Sequence, residues 1–336
     1  MQIGPRSHYL PGTMLVQNLR YLIALARERH FARAANACRV KQPTLSAGIK
    51  HLEDELGVPI VERGQRYQGL TQAGEKVLAW AHRIIADYDW LSQEIGELRD
   101  GLVGRLSFGA IPAAHAVVPL LTTALLDCHP NVTVTVRSQT SLEIQRGLDD
   151  YSVDVGLTYL DNEPLPSVRT QPLYRERYLL VTHADGPFGD RDEVTWREAS
   201  ELPLCLLDAS MQNRRILDGI FQAAGAEPSA RVETTSLLTV CAHVRLGRWS
   251  TILPHTFRPL VSALAGVRLV PLIEPTVEHS VGLVVADREP LPPLARALLA
   301  LAKGADVDAW LSAASSRPAS ADQETTQAFP VAGSVG

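Results

Sequence analysis

The residues with most to offer chemically are a run of short polar side chains, QPTLSAGIKH, from Gln42 to His51. On a helical wheel of about 100° per residue, Pro43, Ala47 and Lys50 share one face, flanked by Thr44, Ser46 and His51, with Gln42 at its start. Leu45, Ile49, Leu52 and Leu56 share the other face and are expected to pack inward. Small residues let a backbone come close to a partner, hydroxyls and amides pair with base edges, and Lys50 suits a phosphate. Such a face fits a major groove about 12 Å wide.

Enzyme chemistry is poorly supplied. No GxGxxG, GxxxxGK[ST], HExxH or GxSxG string occurs, and the ten histidines lack zinc-type spacing, so neither a cofactor nor a metal is expected. His30 and His51 read as polar surface residues. Cys38, Cys128, Cys205 and Cys241 form no CxxC pair, and no basic stretch followed by an apolar core opens the chain, which predicts a reduced, cytoplasmic setting. Cys38 reads as a small buried hydrophobe rather than a redox sensor. No apolar run reaches the ~18–20 residues of a membrane span, and no membrane partner is expected.

The polar face needs neighbours to hold it. Leu19, Leu22, Ile23, Leu25 and Ala26 keep helical spacing within 15–29, and an Ala-rich helix from Phe31 to about Cys38 carries Arg33. Pro43 near the start and Gly57 at the end bound the helix that follows. Two helices joined by a tight turn, the second with an exposed polar N-terminal half, fit a helix-turn-helix. The next stretch, VPIVERGQRYQGLTQAG, reads as strand, turn and returning strand, a wing with Arg63 and Arg66 at a tip that can meet phosphates. Charge agrees: residues 1–71 hold ten Lys and Arg against five acids, while the remainder holds 22 bases against 32 acids. A basic head on an acidic body points one end at a polyanion.

From Gln72 to about Asp100 one long helix is expected, with Thr71 as its N-cap. Val77, Ile84, Leu91 and Leu98 occupy one heptad position and Ala81, Tyr88 and Ile95 the other, so this helix can pair two chains, the alternative being packing on its own domain. Pairing sets two reading heads on one duplex.

The run from Leu19 to Leu78 resembles the LysR-type transcriptional regulator family. The resemblance rests on Phe31, Ala34, Ala35, Gln42, Pro43, Ser46, Ile49, Leu52, Glu53, Leu56, Gly57, Arg63, Leu70, Thr71, Gly74 and Glu75. It implies a double-stranded DNA operator, a homodimer or homotetramer, a small-molecule effector and RNA polymerase as partners. Where that family often carries Arg then Gln after the serine, this chain has Ala47 and Gly48. Readout is then expected to rest on Gln42, Thr44, Ser46, Lys50 and DNA shape, with Ala47 able to meet a thymine methyl.

After Gly104 strands and helices alternate (RLSFGAI, VTVTVR and VDVGLTY with helices between), which implies a parallel sheet covered by helices. With 336 residues, 46% apolar and 21% charged, the chain has material for such a second domain. The expected fold is thus α plus α/β. A loose extension covers 1–12, a winged helix-turn-helix 13–71, a linker helix 72–101, a two-lobed α/β domain 104–302 and a disordered tail 312–336. Lobe I takes 104–163 and 269–302, and lobe II takes 164–268. This half resembles the periplasmic-binding-protein-like effector domain of the same family.

Ligands of open α/β sheets bind beyond the carboxyl ends of strands, near helix N-termini that favour anions. That rule selects Ile111, Pro112, Ala113, Thr140, Ser141, Thr158, Tyr159, Ser210, Gln212, Asn213, Thr235 and Ser236 as candidate lining. Each serine and threonine among them can equally be a helix cap. In the family it resembles, hydroxyls at helix starts often hold an effector carboxylate. The expected function is a regulator that senses a small anionic metabolite. The rivals are a solute-binding protein with no role on DNA and an enzyme on the same scaffold.

Overall fold

The computed structural model describes residues 11–62 and 67–315. They divide into two compact units, one up to Leu98 and one from Arg99 onward.

The first unit contains α1 (Pro11–Glu28), α2 (Phe31–Ala37), α3 (Gln42–Leu56) and α4 (Gln72–Asp100). Tyr21, Ala24 and Leu25 of α1, Ala34 and Ala35 of α2, and Leu45 and Ile49 of α3 form one core. His30 caps α2, its Nδ1 accepting from the N–H groups of Ala32 at 3.2 Å and Arg33 at 3.5 Å. The turn into α3 passes through Arg39 at a left-handed φ of 55°. α3 ends where Gly57 takes φ 68°, a conformation that only glycine adopts without strain.

Gly48 is buried where α3 crosses α1: a Cβ there would stand 2.6 Å from both Asn18 Oδ1 and Tyr21 Cδ2. It therefore belongs to the packed side of α3 and not beside Ala47 on the reading face. Leu56, expected to pack inward, is exposed in the last turn of α3, next to the Gly57 cap.

Among the described residues the wing shows one antiparallel bridge, Val61 to Leu70, with the Glu62 N–H donating to Gly69 O at 3.0 Å. Arg63 and Arg66 lie outside the described residues. The Glu53 carboxylate of α3 receives the N–H groups of Ile60 at 2.7 Å and Val61 at 3.0 Å, which ties the wing base to α3. Thr71 caps α4 by accepting from the Gly74 N–H at 2.9 Å.

The opening of α4 packs on its own unit. Ala81 and Ile85 are buried with Leu19, Leu22, Leu52 and Ile60, and Val77 lies against them. Arg20 of α1 pairs with Asp89 at 2.5 Å. Ala81, expected in a seam between chains, is thus a core residue of the winged unit, and Val77, expected in the same seam, lies half-buried against that core.

The second unit opens with β1 (Gly104–Ala110), α5 (Val118–Cys128), β2 (Val132–Ser138), α6 (Ser141–Asp149) and β3 (Val155–Tyr159). β1 runs parallel to β2 from Gly104 opposite Val132 and parallel to β3 from Phe108 opposite Val155. Every residue of β3 is buried, as a central strand covered on both faces requires. β4 (Val168–Glu176), β5 (Tyr178–His183), β6 (Val194–Thr195), α7 (Trp196–Ser200), β7 (Leu204–Leu207), α8 (Gln212–Ala223), β8 (Ala230–Thr234) and α9 (Leu237–Arg245) follow. The chain closes with β9 (Thr251–Pro254), α10 (Arg258–Val261), β10 (Val267–Ile273), β11 (His279–Ala286), α11 (Pro293–Ala302) and α12 (Val307–Ser315).

The sheets have the orders β2-β1-β3-β11-β4, β6-β10-β5-β9 and β7-β8. The first defines lobe I and the other two lobe II. The chain crosses between lobes at Arg177, between β4 and β5, and returns between Ile273 and His279. The expected boundaries shift accordingly: 168–176 belongs to lobe I and 267–273 to lobe II, because β4 pairs with β11 and β10 with β5. The ends shift as well, since α1 already starts at Pro11 and α12 runs past Ser312 to Ser315.

Helix propensity alone would make Gly48→Ala stabilising by ~1 kcal/mol. The crossing at α1 reverses the sign: the variant loses about 1–3 kcal/mol through overpacking, measured as a lower midpoint of chemical denaturation.

Candidate functional site

Two sites emerge, one in each unit. On α3, Leu45, Gly48, Ile49 and Leu52 are buried, whereas Gln42, Pro43, Thr44, Ala47 and Lys50 are exposed and Ser46 is half-buried. No side chain caps the start of α3, whose N-cap is Lys41 with Pro43 in the first turn, and the Thr44 N–H donates to Lys41 O at 3.0 Å. Arg33 is exposed on α2 and donates to Glu28 O at 2.7 Å. His51 lies to the side, its Nδ1 3.5 Å from Asn18 Nδ2 and 3.8 Å from Glu55. The arrangement is an exposed, mostly neutral face with the Lys50 cation at its edge.

Further along the same unit, Ile84, Tyr88, Leu91, Ile95 and Leu98 of α4 are exposed, Leu98 at 81%. Trp80, exposed at 61%, extends this stripe and was absent from the heptad reading. It sits four residues before Ile84, a signal that strict heptad counting passes over.

The second site lies between the lobes of the second unit. α6 and α8 both begin at the cleft. Ser141 Oγ, on the first residue of α6, donates to Gln212 Oε1, on the first residue of α8, and accepts from Thr158 Oγ1 at 3.2 Å. The Gln212 amide in turn donates to Asn162. Asn213 Nδ2 donates to Tyr159 Oη at 3.0 Å, and Tyr159 Oη donates to Glu176 Oε1 at 2.5 Å. Arg215 forms a bidentate pair with Glu163, at 2.8 Å and 2.5 Å, from α8 to the loop after β3.

The structure therefore brings Ser141, Thr158, Tyr159, Gln212 and Asn213 together across the two lobes. Other expected residues are committed locally. Thr140 caps α6 in a reciprocal pair with Glu143, Ser236 caps α9 by accepting from the Thr239 N–H at 3.3 Å, and Ser210 bonds Asp208. Thr235 is exposed, and Pro112 and Ala113 are buried in a tight turn after β1. Sequence reading did not select Asn162, Glu163 or Glu176, whose importance depends on where the lobes meet. Arg214 is held by Asp218 at 2.8 Å and Glu233 at 2.6 Å.

Glu176 is fully buried at the crossover, and burial pushes its carboxyl up to about 8 despite the hydrogen bond from Tyr159. Burial and this neighbouring acid also raise the Tyr159 and Tyr178 hydroxyls. At neutral pH the cleft floor therefore holds a neutral carboxylic acid among tyrosines.

With this geometry in view, comparisons with known proteins bear on both sites. The family described as "Bacterial regulatory helix-turn-helix protein, lysR family" matches residues 16–75, and "LysR substrate binding domain" matches residues 99–306. The chain is 31% identical over 279 residues to the DNA-binding transcriptional dual regulator OxyR of Escherichia coli K12, covering 83% of this chain and 91% of that relative. It is 33% identical over 242 residues to a probable hydrogen peroxide-inducible genes activator of Streptomyces viridosporus, covering 71% and 77% respectively. Among solved structures, a full-length OxyR variant of Pseudomonas aeruginosa aligns with a TM-score of 0.68 at 26% identity, covering 87% of this chain and 95% of that one. The CbnR complex with its target DNA shares the fold, with a TM-score of 0.62 at 24% identity over 86% of this chain and 98% of that one.

The buried acid carries a pH signature. Between the ordinary glutamate value of 4.5 and about 8 the folded chain keeps a proton that the unfolded chain has released. Folding stability therefore falls as pH rises through that window. Relative to wild type, Glu176→Gln removes about 1.4 kcal/mol per pH unit of this slope, seen in denaturation midpoints between pH 5 and pH 8.

Proposed function

The chain belongs to the LysR family of DNA-binding transcriptional regulators, and from that premise we propose which surfaces read DNA, which pair the chains and what the second unit senses. The exposed face of α3 enters the major groove. Gln42, Thr44 and Ser46 reach base edges, Ala47 meets a thymine methyl, and Lys50 and Arg33 hold phosphates. The observation carrying this reading is the division of α3 into a buried apolar side and an exposed polar one. The missing large side chain at Ala47 is compensated by closer backbone approach and by readout of DNA shape.

Trp80, Ile84, Tyr88, Leu91, Ile95 and Leu98 form the contact between two chains. An apolar stripe this long on an otherwise polar helix is costly to leave in water, and a partner helix in a homodimer, or in a tetramer built from two, covers it. Two heads on one duplex multiply affinity and set the half-site spacing. The output runs through RNA polymerase in the cytoplasm.

The interlobe cleft holds a small anionic metabolite. Two helix N-termini meet there, and α8 opens at Met211 with no side-chain cap on its leading N–H groups. Glu176, neutral at pH 7, does not repel an anion, whereas the cations of Arg214 and Arg215 are already paired. The relatives described as hydrogen peroxide-inducible genes activators suggest a peroxide signal instead, but the cleft's polar contacts come from hydroxyls, amides, carboxyls and a guanidinium. Burial pushes the thiols of Cys38, Cys205 and Cys241 up, away from the reactive thiolate. A ligand preferring one lobe angle would bias how the chain sits on DNA.

Lys50→Ala weakens binding to all duplexes and lowers the salt slope of log K by about one unit, measured by fluorescence anisotropy across salt concentrations. Thr44→Ala instead relaxes base preference. Ile84→Glu with Leu91→Glu yields monomers by light scattering, with the winged unit's circular dichroism retained. For the cleft, a thermal-shift series of small carboxylates on the full chain is expected to give at least one that raises Tm in wild type and fails in Gln212→Ala.

A further inference from the structure

Against the crossover segments lies a cavity of about 370 Å³, within the range of about 300–1,000 Å³ typical of small-molecule sites. Its apolar wall is Tyr178, Leu179, Trp196, Leu272 and Val277, and its polar edge is Arg177, His255 and Arg258, with Glu193 the one acid among its lining residues. Arg177 and Tyr178 belong to the outgoing crossover, and Ile273, Thr276 and Val277 to the returning one. An occupant would touch both segments about which the lobes turn.

His255 gives the polar edge a definite chemistry. Its Nδ1 accepts the Arg177 N–H at 3.1 Å. Burial and the neighbouring Arg177 push its pKa down, so the ring is neutral and its proton sits on Nε2. That Nε2–H is buried with no hydrogen-bond acceptor in range. Asp308 of α12 stands off at 3.6 Å, and the same carboxylate oxygen is 3.7 Å from Arg177 Nη2. Two donors thus converge on one carboxylate oxygen that stops short of both, on a side chain that is 68% exposed. A buried donor left in this way is costly, and a better-placed acceptor would recover that cost.

We propose that this hinge cavity is a second ligand site, taking a small carboxylate with an aromatic or branched apolar body. The ligand carboxylate displaces Asp308 from between His255 and Arg177 and is joined by Arg258, while its apolar body lies against Trp196 and Leu272. This site is independent of the interlobe cleft and stands whether or not the cleft binds an anion. Its occupancy fixes the two crossovers relative to each other and so acts on the lobe angle.

The test is titration calorimetry of the full chain with benzoate, and with benzamide as the neutral isostere. Benzoate is expected to bind wild type, to bind Asp308→Asn at least about threefold more tightly because the internal competitor is removed, and to bind Arg177→Ala/Arg258→Ala about tenfold or more weakly, as loss of charge-assisted bonds requires. Benzamide should bind about tenfold or more weakly than benzoate. Gln212→Ala, in the cleft, should leave the benzoate affinity unchanged, and thermal unfolding checks that each variant is folded. The proposal is overturned if benzoate binds neither wild type nor Asp308→Asn at millimolar concentration, if the double arginine variant binds as well as wild type, if benzamide matches benzoate, or if Gln212→Ala abolishes the signal.

Discussion

The crossing of α3 over α1 constrains everything that the first unit can do. Leu45, Gly48, Ile49 and Leu52 go into the packed side of α3, and the absence of a side chain at Gly48 lets the two helices meet at Asn18 and Tyr21. That contact fixes the rotation of α3 about its own axis, and rotation decides which residues face outward. A turn of one residue, about 100°, would bury Thr44 and expose Leu45. Glu53 then carries the same reference frame to the wing base, and Ala81 and Ile85 carry it to α4. The reading face, the wing and the pairing helix are therefore set by one packing arrangement.

The second unit is organised by polar contacts across its lobes rather than by apolar ones alone. Ser141 with Gln212, Tyr159 with Asn213 and Glu163 with Arg215 each join one lobe to the other, with Glu176 buried where the chain crosses. Such bonds are individually modest and exchangeable for bonds to a ligand, which suits a domain that must hold one lobe angle and still be able to leave it. Burial of a neutral acid among tyrosines keeps the floor free of net charge.

Much of this was legible in the sequence because it depends on periodicity. The helices of the winged unit and the parallel β1, β2 and β3 follow from apolar spacing that does not depend on distant contacts. The failures share a cause. Gly48 reads as a helix weakness until α1 is placed over it, and Val77 and Ala81 obey a heptad yet face their own core. Thr140, Ser210 and Ser236 have side chains suited to a ligand or to a local bond, and local geometry made Thr140 and Ser236 helix caps and tied Ser210 to Asp208. Glu176 and Asn162 carry no local signal, since their roles arise from residues brought to them only where the two lobes meet. The lobe boundary moved for the same reason: β4 and β10 look alike in sequence, and only pairing assigns each to its sheet.

The central claim is that the outward face of α3 lies against base edges in the major groove. It is tested most directly by replacing Ala47 with a photo-crosslinking amino acid in the full chain and irradiating it on duplexes that the wild-type protein selects from a random pool. The account predicts crosslinks to bases at a fixed position in each half-site, with two half-sites separated by whole helical turns. Tight binding of those duplexes with no base crosslinked from position 47 would contradict it.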